Sequence, residues 1–448
     1  MTTYDSNYAY TMATQLAQYD TQYSYTRLDR NKTNYTAQQT ALNSLSSALS
    51  TFQTKLSGLN SASGSILQNK ATQSSEGYAT ADVTSKAQAG SYQFFVGQLA
   101  SKHQVAVELS GATFAGTLKL EQGAESLDVV LSNYGNDSIN DLVAAINSEA
   151  EGKGLTMRAS VVRSDGKNLL MLTSEETGDD QQFTVTAPNK RIVSQGKDAE
   201  VYLGQPVFKG DGSIDPAQSI MLTSKSNTFD NIIEGVSLTF TKTHKQGDAP
   251  LSIDIAQDND GTKAKVQEFV DAYNALAGEL NKLTASGSED SKRGALAGDG
   301  TVRSIKSMID NMIRKGVTVD GQQVSLVSLG ISNTREGTLT LDSARLEKTL
   351  SSNPGALDAL FKGDGGTDKG ILGGLLDRET GLAKYTSSVN GILKNRKDSI
   401  ADSLKRVEKE RERVDTQYDN LYQRYLKQYT NLVTIMSQME QTSGLYFT

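Results

Sequence analysis

The sequence predicts an α+β multidomain chain. Antiparallel terminal helices form a coiled-coil or helical-bundle leg, and mainly-β head domains are inserted between them. Three observations predict this. From Leu393 to Met439 one column of sevens reads Leu393, Ile400, Val407, Val414, Leu421, Gln428 and Ile435. The column four residues on reads Lys397, Leu404, Arg411, Tyr418, Tyr425, Leu432 and Met439. That is an a/d seam of a long helix that needs a partner. A second seam stands at the other end, with Leu28, Tyr35, Leu42, Leu49 and Leu56 in one column and Leu45, Phe52 and Leu59 in the next. Between the seams the texture changes to short runs rich in β-branched and aromatic residues, separated by turn residues.

Neither seam is wide enough to be stable alone, so the economical arrangement pairs the two termini. Neither Pro nor Gly interrupts Ile392 to Ser443, and nothing breaks that helix. Residues 1 to about 27 are polar and Tyr-rich, and Met12, Leu16, Tyr19 and Tyr23 stand at helical spacing. This stretch reads as a helix whose stripe needs a partner. The first helical run ends near Gly58 and the Ser/Gly cluster that follows.

The central region opens with strands at Ala79–Thr84, Gly90–Val96, Gln104–Leu109 and Gly116–Leu120. A β-α-β-β unit follows: strand Leu127–Leu131, helix Ser138–Asn147, then strands Leu155–Val162 and Asn168–Thr173 about a turn at Ser164–Lys167. Ser138 is placed to cap the helix, with Asp141 in the capping-box position. Phe183–Thr186 continues the sheet. From there to about Gly212 the chain is polar and shows no clear period. Ser219–Thr223, Gly235–Thr241 and Leu251–Ile255 read as strands. Helix returns at Thr262 with Val266, Phe269, Val270, Tyr273, Leu276, Leu280 and Leu283 on one face. Further helices are read at Thr301–Ile313, Ala344–Leu350 and Leu357–Phe361, with Pro354 at the first helical position of the last. A Gly-rich joint at Gly363–Gly374 precedes the final helix.

Composition narrows the function. The 448 residues carry a net charge of −7, which disfavours nucleic-acid binding. No apolar run approaches the ~20 residues of a membrane span, and the first thirty residues lack the pattern of a cleaved signal. There is no cysteine, which removes disulfides, thiolate metal sites and thiol nucleophiles together. Asp254, Asp258 and Asp260 before Gly261 do not fit an EF-hand loop, and read as a solvent-facing strand residue and a helix start. Gly294–Gly300 lacks the Lys-Ser/Thr ending of a phosphate loop and reads as a loop before a helix. His103 and His244 show no ligand spacing and read as surface histidines. The run Lys405–Arg413 mixes signs, as a solvated coiled-coil flank does. No catalytic residue, cofactor site or metal site is expected, and the chain is not read as an enzyme.

Ordered along the chain are Ala41–Gln53, Ala89–Ala100, Val266–Asn274, Leu296–Ile305, Leu329–Ile331 with Gly337–Asp342, Leu357–Phe361, and Met436–Met439. As an ordered set these resemble the bacterial flagellar filament cap family, FliD or hook-associated protein 2. The unit at Leu127–Thr173 also resembles a motif shared with flagellin inserts. The polar start Met1–Tyr10 departs from the family's apolar, Gly-containing opening, which points to a lateral or second-system subtype.

The resemblance implies a secreted protein, exported through the flagellar type III channel, that forms a ring at the filament tip and retains flagellin there. The implied partners are itself, as a pentamer or hexamer, flagellin, a hook–filament junction protein, and an export chaperone on the C-terminal helix. Host surface glycans bound by the head are a further implied class. Other flagellar axial proteins and a glycan- or mucin-binding adhesin are the competing readings. The expected domains are 1–42 with 408–448 as a terminal coiled coil, mobile in the free subunit, and 43–77 with 258–407 as a helical leg domain. The head divides into 78–120 with 188–257, and a subdomain at 121–187. The expected assembly interface is Leu28, Tyr35 and Leu42 on one helix with Val414, Leu421, Tyr425 and Leu432 on the other.

Overall fold

A computed structural model describes residues 6–61, 65–109, 116–134, 138–164, 167–288, 292–319, 321–363 and 368–446. The chain divides into two compact units, Met1–Ile66 with Thr262–Thr448, and Leu67–Gly261.

The first element is a single unbroken helix, α1 (Ser6–Leu59). Its C-terminal half follows the predicted seam: Leu42, Leu45, Leu49, Phe52, Leu56 and Leu59 are all buried. Its N-terminal third does not follow the predicted stripe. Ala9, Ala13, Ala17 and Thr21 are buried there, while Tyr19 and Tyr23 are 76% and 78% exposed.

The inserted unit contains two cores. One lies between a five-stranded and a three-stranded antiparallel sheet. In chain order its strands are β1 (Asn69–Gln73), β2 (Ala79–Val83) and β3 (Gly90–Gln98). The chain then enters the second core with β4 (Lys102–Leu109), β5 (Thr117–Gln122), β6 (Glu125–Val130), helix α2 (Ile139–Lys153), β7 (Met157–Ser164), β8 (Lys167–Thr177), β9 (Thr184–Thr186) and β10 (Lys190–Ser194). It returns to the first core with β11 (Ala199–Leu203), β12 (Met221–Ser224), β13 (Thr228–Ile233), β14 (Val236–Phe240) and β15 (Leu251–Gln257). The strand orders are β1-β15-β3-β11-β12 and β13-β14-β2 in the first core, and β10-β4-β8-β7 and β6-β5-β9 in the second. Phe94, Phe229 and Phe240 fill the first core edge to face. Leu118, Leu127, Leu142, Ile146, Leu170 and Leu172 fill the second.

β1, β10, β11 and β13 were not legible in the sequence. β10 has no buried residue, so no alternation marks it. β13 is interrupted by Asn231 at φ +59°, where the register shifts. Ser138 takes the N-cap position of α2, but its side chain makes no capping bond.

Both histidines are corrections. They are buried rather than on the surface. The His244 ring is stacked between Tyr78 and Phe95, at 4.4 and 4.8 Å between centroids. Its Nδ1 accepts the Val96 N–H at 2.9 Å, and its own backbone N–H donates to Val96 O at 2.8 Å. His103 Nδ1 accepts the Gly196 N–H at 3.2 Å, with the ring edge-on to Phe183. Sequence spacing tests only for ligand sets, and a histidine that completes a backbone ladder leaves no such pattern.

The chain re-enters the helical unit through α3 (Asn259–Thr284), which buries Val266, Phe269, Val270, Tyr273, Leu276, Leu280 and Leu283. Asp258 accepts the Gly261 N–H at 3.1 Å and so satisfies a first-turn donor, while Asp254 is exposed on β15. α4 (Gly300–Ile313) is capped by Asp299, which accepts from Thr301 N and Val302 N. Gly294–Gly300 is thus a loop and helix start.

Two small hairpins follow, β16 (Val317–Val319) with β17 (Gln322–Val324) and β18 (Ile331–Asn333) with β19 (Leu339–Leu341). Then come α5 (Ser343–Ser352), α6 (Gly355–Lys362), α7 (Gly370–Leu376), α8 (Ala383–Thr386) and α9 (Ile392–Tyr446). Pro354 is the N-cap of α6, one position before the predicted place. The predicted Gly-rich joint contains α7, whose Gly370, Ile371, Leu372, Gly374 and Leu375 are buried. Residues 364–367 of that joint lie outside the described residues. Gly391 is required at the start of α9, because a Cβ there would lie 2.3 Å from Ser387 O.

The histidines make a pH prediction. Burial holds both imidazoles below the ordinary value of 6.5. Between the lowered folded pKa and 6.5 the unfolded chain binds more protons, so stability is full above 6.5 and falls as pH drops below it. The Tm of the inserted unit should therefore fall between pH 7.5 and pH 5.5, and His244→Phe should reduce that fall. An unchanged pH slope in the variant would sink this assignment.

Candidate assembly interface

α1 and α9 are 54 and 55 residues long, about 80 Å each at 1.5 Å per residue. They run antiparallel, and four contacts set their register. Tyr8 and Tyr429 meet edge to face at 6.2 Å. Tyr425 OH donates to Asp20 Oδ2 at 2.6 Å, and Tyr25 OH donates to Asp415 Oδ1 at 2.6 Å. Arg411 donates to Asp29 and lies 5.5 Å from the Tyr25 ring centre. Burial, and next the bond to Asp415, push the Tyr25 hydroxyl up to about 12, so it stays a donor at any physiological pH.

This register explains the corrected stripe. It brings Ala9, Ala13, Ala17 and Thr21 alongside the α9 stretch holding Tyr418, Tyr422, Tyr425 and Tyr429. Large rings on one helix need small residues on the other if the axes are to stay within 8–10 Å. Met12 and Leu16 are therefore half-buried, and Tyr19 and Tyr23 turn outward. Further along, Leu28, Val407 and Val414 form a small apolar cluster, with Tyr25 and Tyr35 packed on it. Beyond it the pair merges into the helical core, where Leu393 and Ile400 of α9 are buried and Gln53 of α1 accepts from Thr386 Oγ1 at 2.9 Å.

The seven predicted interface residues fall into three groups. Leu28 and Val414 share the apolar cluster, and Leu42 lies in the helical core. Tyr35, Leu421 and Tyr425 are half-buried along the pair. Leu432 is exposed, with Ile435 and Met439 after it. Sequence reasoning missed Asp20, Tyr25, Asp29, Arg411 and Asp415 as cross-helix partners. It also missed the alanine stripe, whose signal was Ala at every fourth position. Among the described residues no group of three or more His, Cys, Asp or Glu could hold a metal ion.

Two family models match this chain: the flagellar hook-associated protein 2 N-terminus over residues 9–103, and its C-terminus over residues 207–441. The chain belongs to the flagellar hook-associated protein 2 family. A lateral flagellar hook-associated protein 2 of Vibrio parahaemolyticus is 33% identical over 85% of this chain and 86% of that one. An A-type hook-associated protein 2 of Pseudomonas aeruginosa is 32% identical over 93% of this chain and 90% of that one. A solved structure of three domains of the flagellar cap protein FliD from Escherichia coli shares the fold, with TM-score 0.60 and 22% identity. It covers 81% of this chain and 99% of that one. The chain is accordingly a cap protein of the bacterial flagellum, placed at the filament tip outside the cell. The matched segments include nearly all of α1 and α9 and leave out 104–206, which holds most of the second β core.

Leu28→Ala and Val414→Ala should each cost about 2–3 kcal/mol, at the low end for buried large-to-small changes because the cluster is small. Asp29→Ala should cost at most about 1 kcal/mol, since its ion pair is exposed. Thermal melts of the full chain test this ordering, and an Asp29 effect as large as the Leu28 effect would contradict it.

Proposed function

We propose that this cap protein associates with copies of itself in a ring of five or six and holds exported flagellin at the filament end, with the paired terminal helices engaging neighbouring subunits. The observation that carries this is the outward face of α1. Between Ser6 and Thr26 the helix has one charged residue, Asp20, whose carboxylate already accepts from Tyr425. The same stretch exposes Tyr19 and Tyr23. Depletion of charge with enrichment of tyrosine is the composition of an interface rather than of a solvated helix face.

Of the predicted residues, Leu28, Leu42 and Val414 would act by keeping the helices paired. Tyr35, Leu421, Tyr425 and Leu432 would act through the surface they still present. The exposed run Leu432, Ile435 and Met439 suits an apolar helical partner such as an export chaperone before assembly. Residues 1–42 with 408–448, 43–77 with 258–407, 78–120 with 188–257, and 121–187 are proposed as the four working parts. The mechanism is mechanical: subunits shift as each flagellin enters, and no covalent bond is made or broken.

Deleting Arg413–Thr448 should leave the inserted unit folded and release unpolymerised flagellin into the medium. The full-length Tyr19→Ser, Tyr23→Ser variant should melt like the parent and show the same defect in milder form. Normal filaments from both strains would refute the proposal.

A further inference from the structure

β7 ends the sheet β10-β4-β8-β7, and α2 stands beside its open edge. The side chain of Asn147 on α2 reaches that edge and pairs with it as a strand would. Its Oδ1 accepts from Ala159 N at 2.7 Å, and its Nδ2 donates to Ala159 O at 3.1 Å. These two bonds fix which way the backbone faces. In an antiparallel pair, residues that turn both polar groups outward alternate with residues that turn both inward. Ala159 faces outward, so Val161 and Arg163 do too, while Ser160 and Val162 face Met171 and Leu169 of β8. Among the described residues nothing pairs with the outward N–H and C=O of Val161 and Arg163.

From Asn147 a groove of about 670 Å³ opens toward Arg163. Its other wall is the α2 stripe Asn140, Val143 and Ala144, one and two turns before Asn147. Val143 and Val161 are half-buried at the rim of the second core, so the groove is apolar there. Arg163 is exposed on the same face of β7 as Val161. Its cross-strand neighbour is the uncharged Asn168, and no described anion pairs with it. The other cations nearby are taken, Lys167 by Glu108 and Arg158 by Glu175. Asp141 is exposed on α2 but does not line the groove. The lining therefore holds one free cation and no anion.

We propose that this groove binds an extended segment of a foreign polypeptide by strand addition, antiparallel to β7, with a carboxylate opposite Arg163 and a small apolar side chain two residues later opposite Val161. Directly opposed residues share a face, so the acid meets Arg163 and the apolar group lies against Val143 and Ala144. Asn147 stops the added strand at Ala159. The other edges of this core do not supply the segment from a second copy. β10 brings Lys190 and Arg191, the acid of β6 at Asp128 already stands opposite Lys119, and β9 has no charge. Residues 140–163 lie outside the segments matched by the two family models, and the proposed assembly through α1 and α9 does not use them.

The probe is a fluorescein-labelled peptide, Ser-Thr-Glu-Thr-Val-Thr-Ser, titrated with the full chain and read by anisotropy. Hydrogen exchange of the segment Ala159–Ser164 is the second readout. The expected result is saturable binding with slowed exchange at Val161 and Arg163. Changing the peptide's Glu to Lys should weaken binding about tenfold, the effect of about 1.4 kcal/mol. Arg163→Glu should reverse that preference. Val161→Pro removes an outward N–H that nothing in the chain uses, a change an edge strand tolerates. It should abolish binding with an unchanged circular dichroism spectrum, and if it misfolds the Arg163→Glu reversal decides. No saturable binding, equal binding of the two peptides, or protection at an edge other than β7 overturns the proposal. Self-association of the parent that the peptide disperses also overturns it, because the occupant is then a second copy.

Discussion

The antiparallel pairing of α1 with α9 is the contact on which the rest of the helical unit depends. It joins segments that are far apart in the chain, as the bond between Tyr25 and Asp415 does. Closing so long a loop costs only slowly more with length, so a pre-folded insert adds little to the burden of bringing the ends together. What the pairing requires is a seam that neither helix can satisfy alone. The buried run from Leu42 to Leu59 supplies it on α1, and Leu393, Ile400, Val407 and Val414 supply it on α9.

The seam changes character along its length. Near the helical core it is aliphatic and fully buried. After the cluster of Leu28, Val407 and Val414 it becomes a set of tyrosine–carboxylate bonds and an exposed ion pair, laid over small residues. Burying one Leu or Val is worth about 1.5–3 kcal/mol, whereas an exposed ion pair contributes about 0–1 kcal/mol. The pairing is therefore strongest where it meets the core and weakest at the free ends, so opening should begin at the ends. Those ends are also where charge is sparse and tyrosine exposed.

Much of this was legible in the sequence because long helices and alternating strands leave a period. The seams at Leu28–Leu59 and Leu393–Val414, the face of α3 and most central strands follow from spacing alone, whereas the predicted continuation through Leu432, Ile435 and Met439 is exposed. Three things did not follow, each for a physical reason. The stripe Ala9, Ala13, Ala17 and Thr21 is buried because rings on the opposite helix fill the space, and reading one helix for its large residues picks the wrong face. The buried histidines and the capping role of Asp258 depend on backbone groups that sequence does not position. β10 has no alternation to detect, since all its leading residues are exposed.

The third failure differs in kind from the first two. The alanine stripe and the histidines are satisfied once the chain has folded, so they are problems of inference only. β10 pairs with β4 but keeps Ile192 and Val193 exposed, as the edge strand β12 keeps Met221 and the Ile220 before it. A strand that carries two β-branched aliphatics into solvent gains nothing from either of them within its own subunit. Its local preference for extended structure is consistent with its pairing to β4. The exposed tyrosines of α1 are the counterpart in the helical unit. Exposed tyrosine on a stretch with a single charge is the composition of a surface that meets a partner, and it is this stretch that the proposed assembly through the paired helices uses.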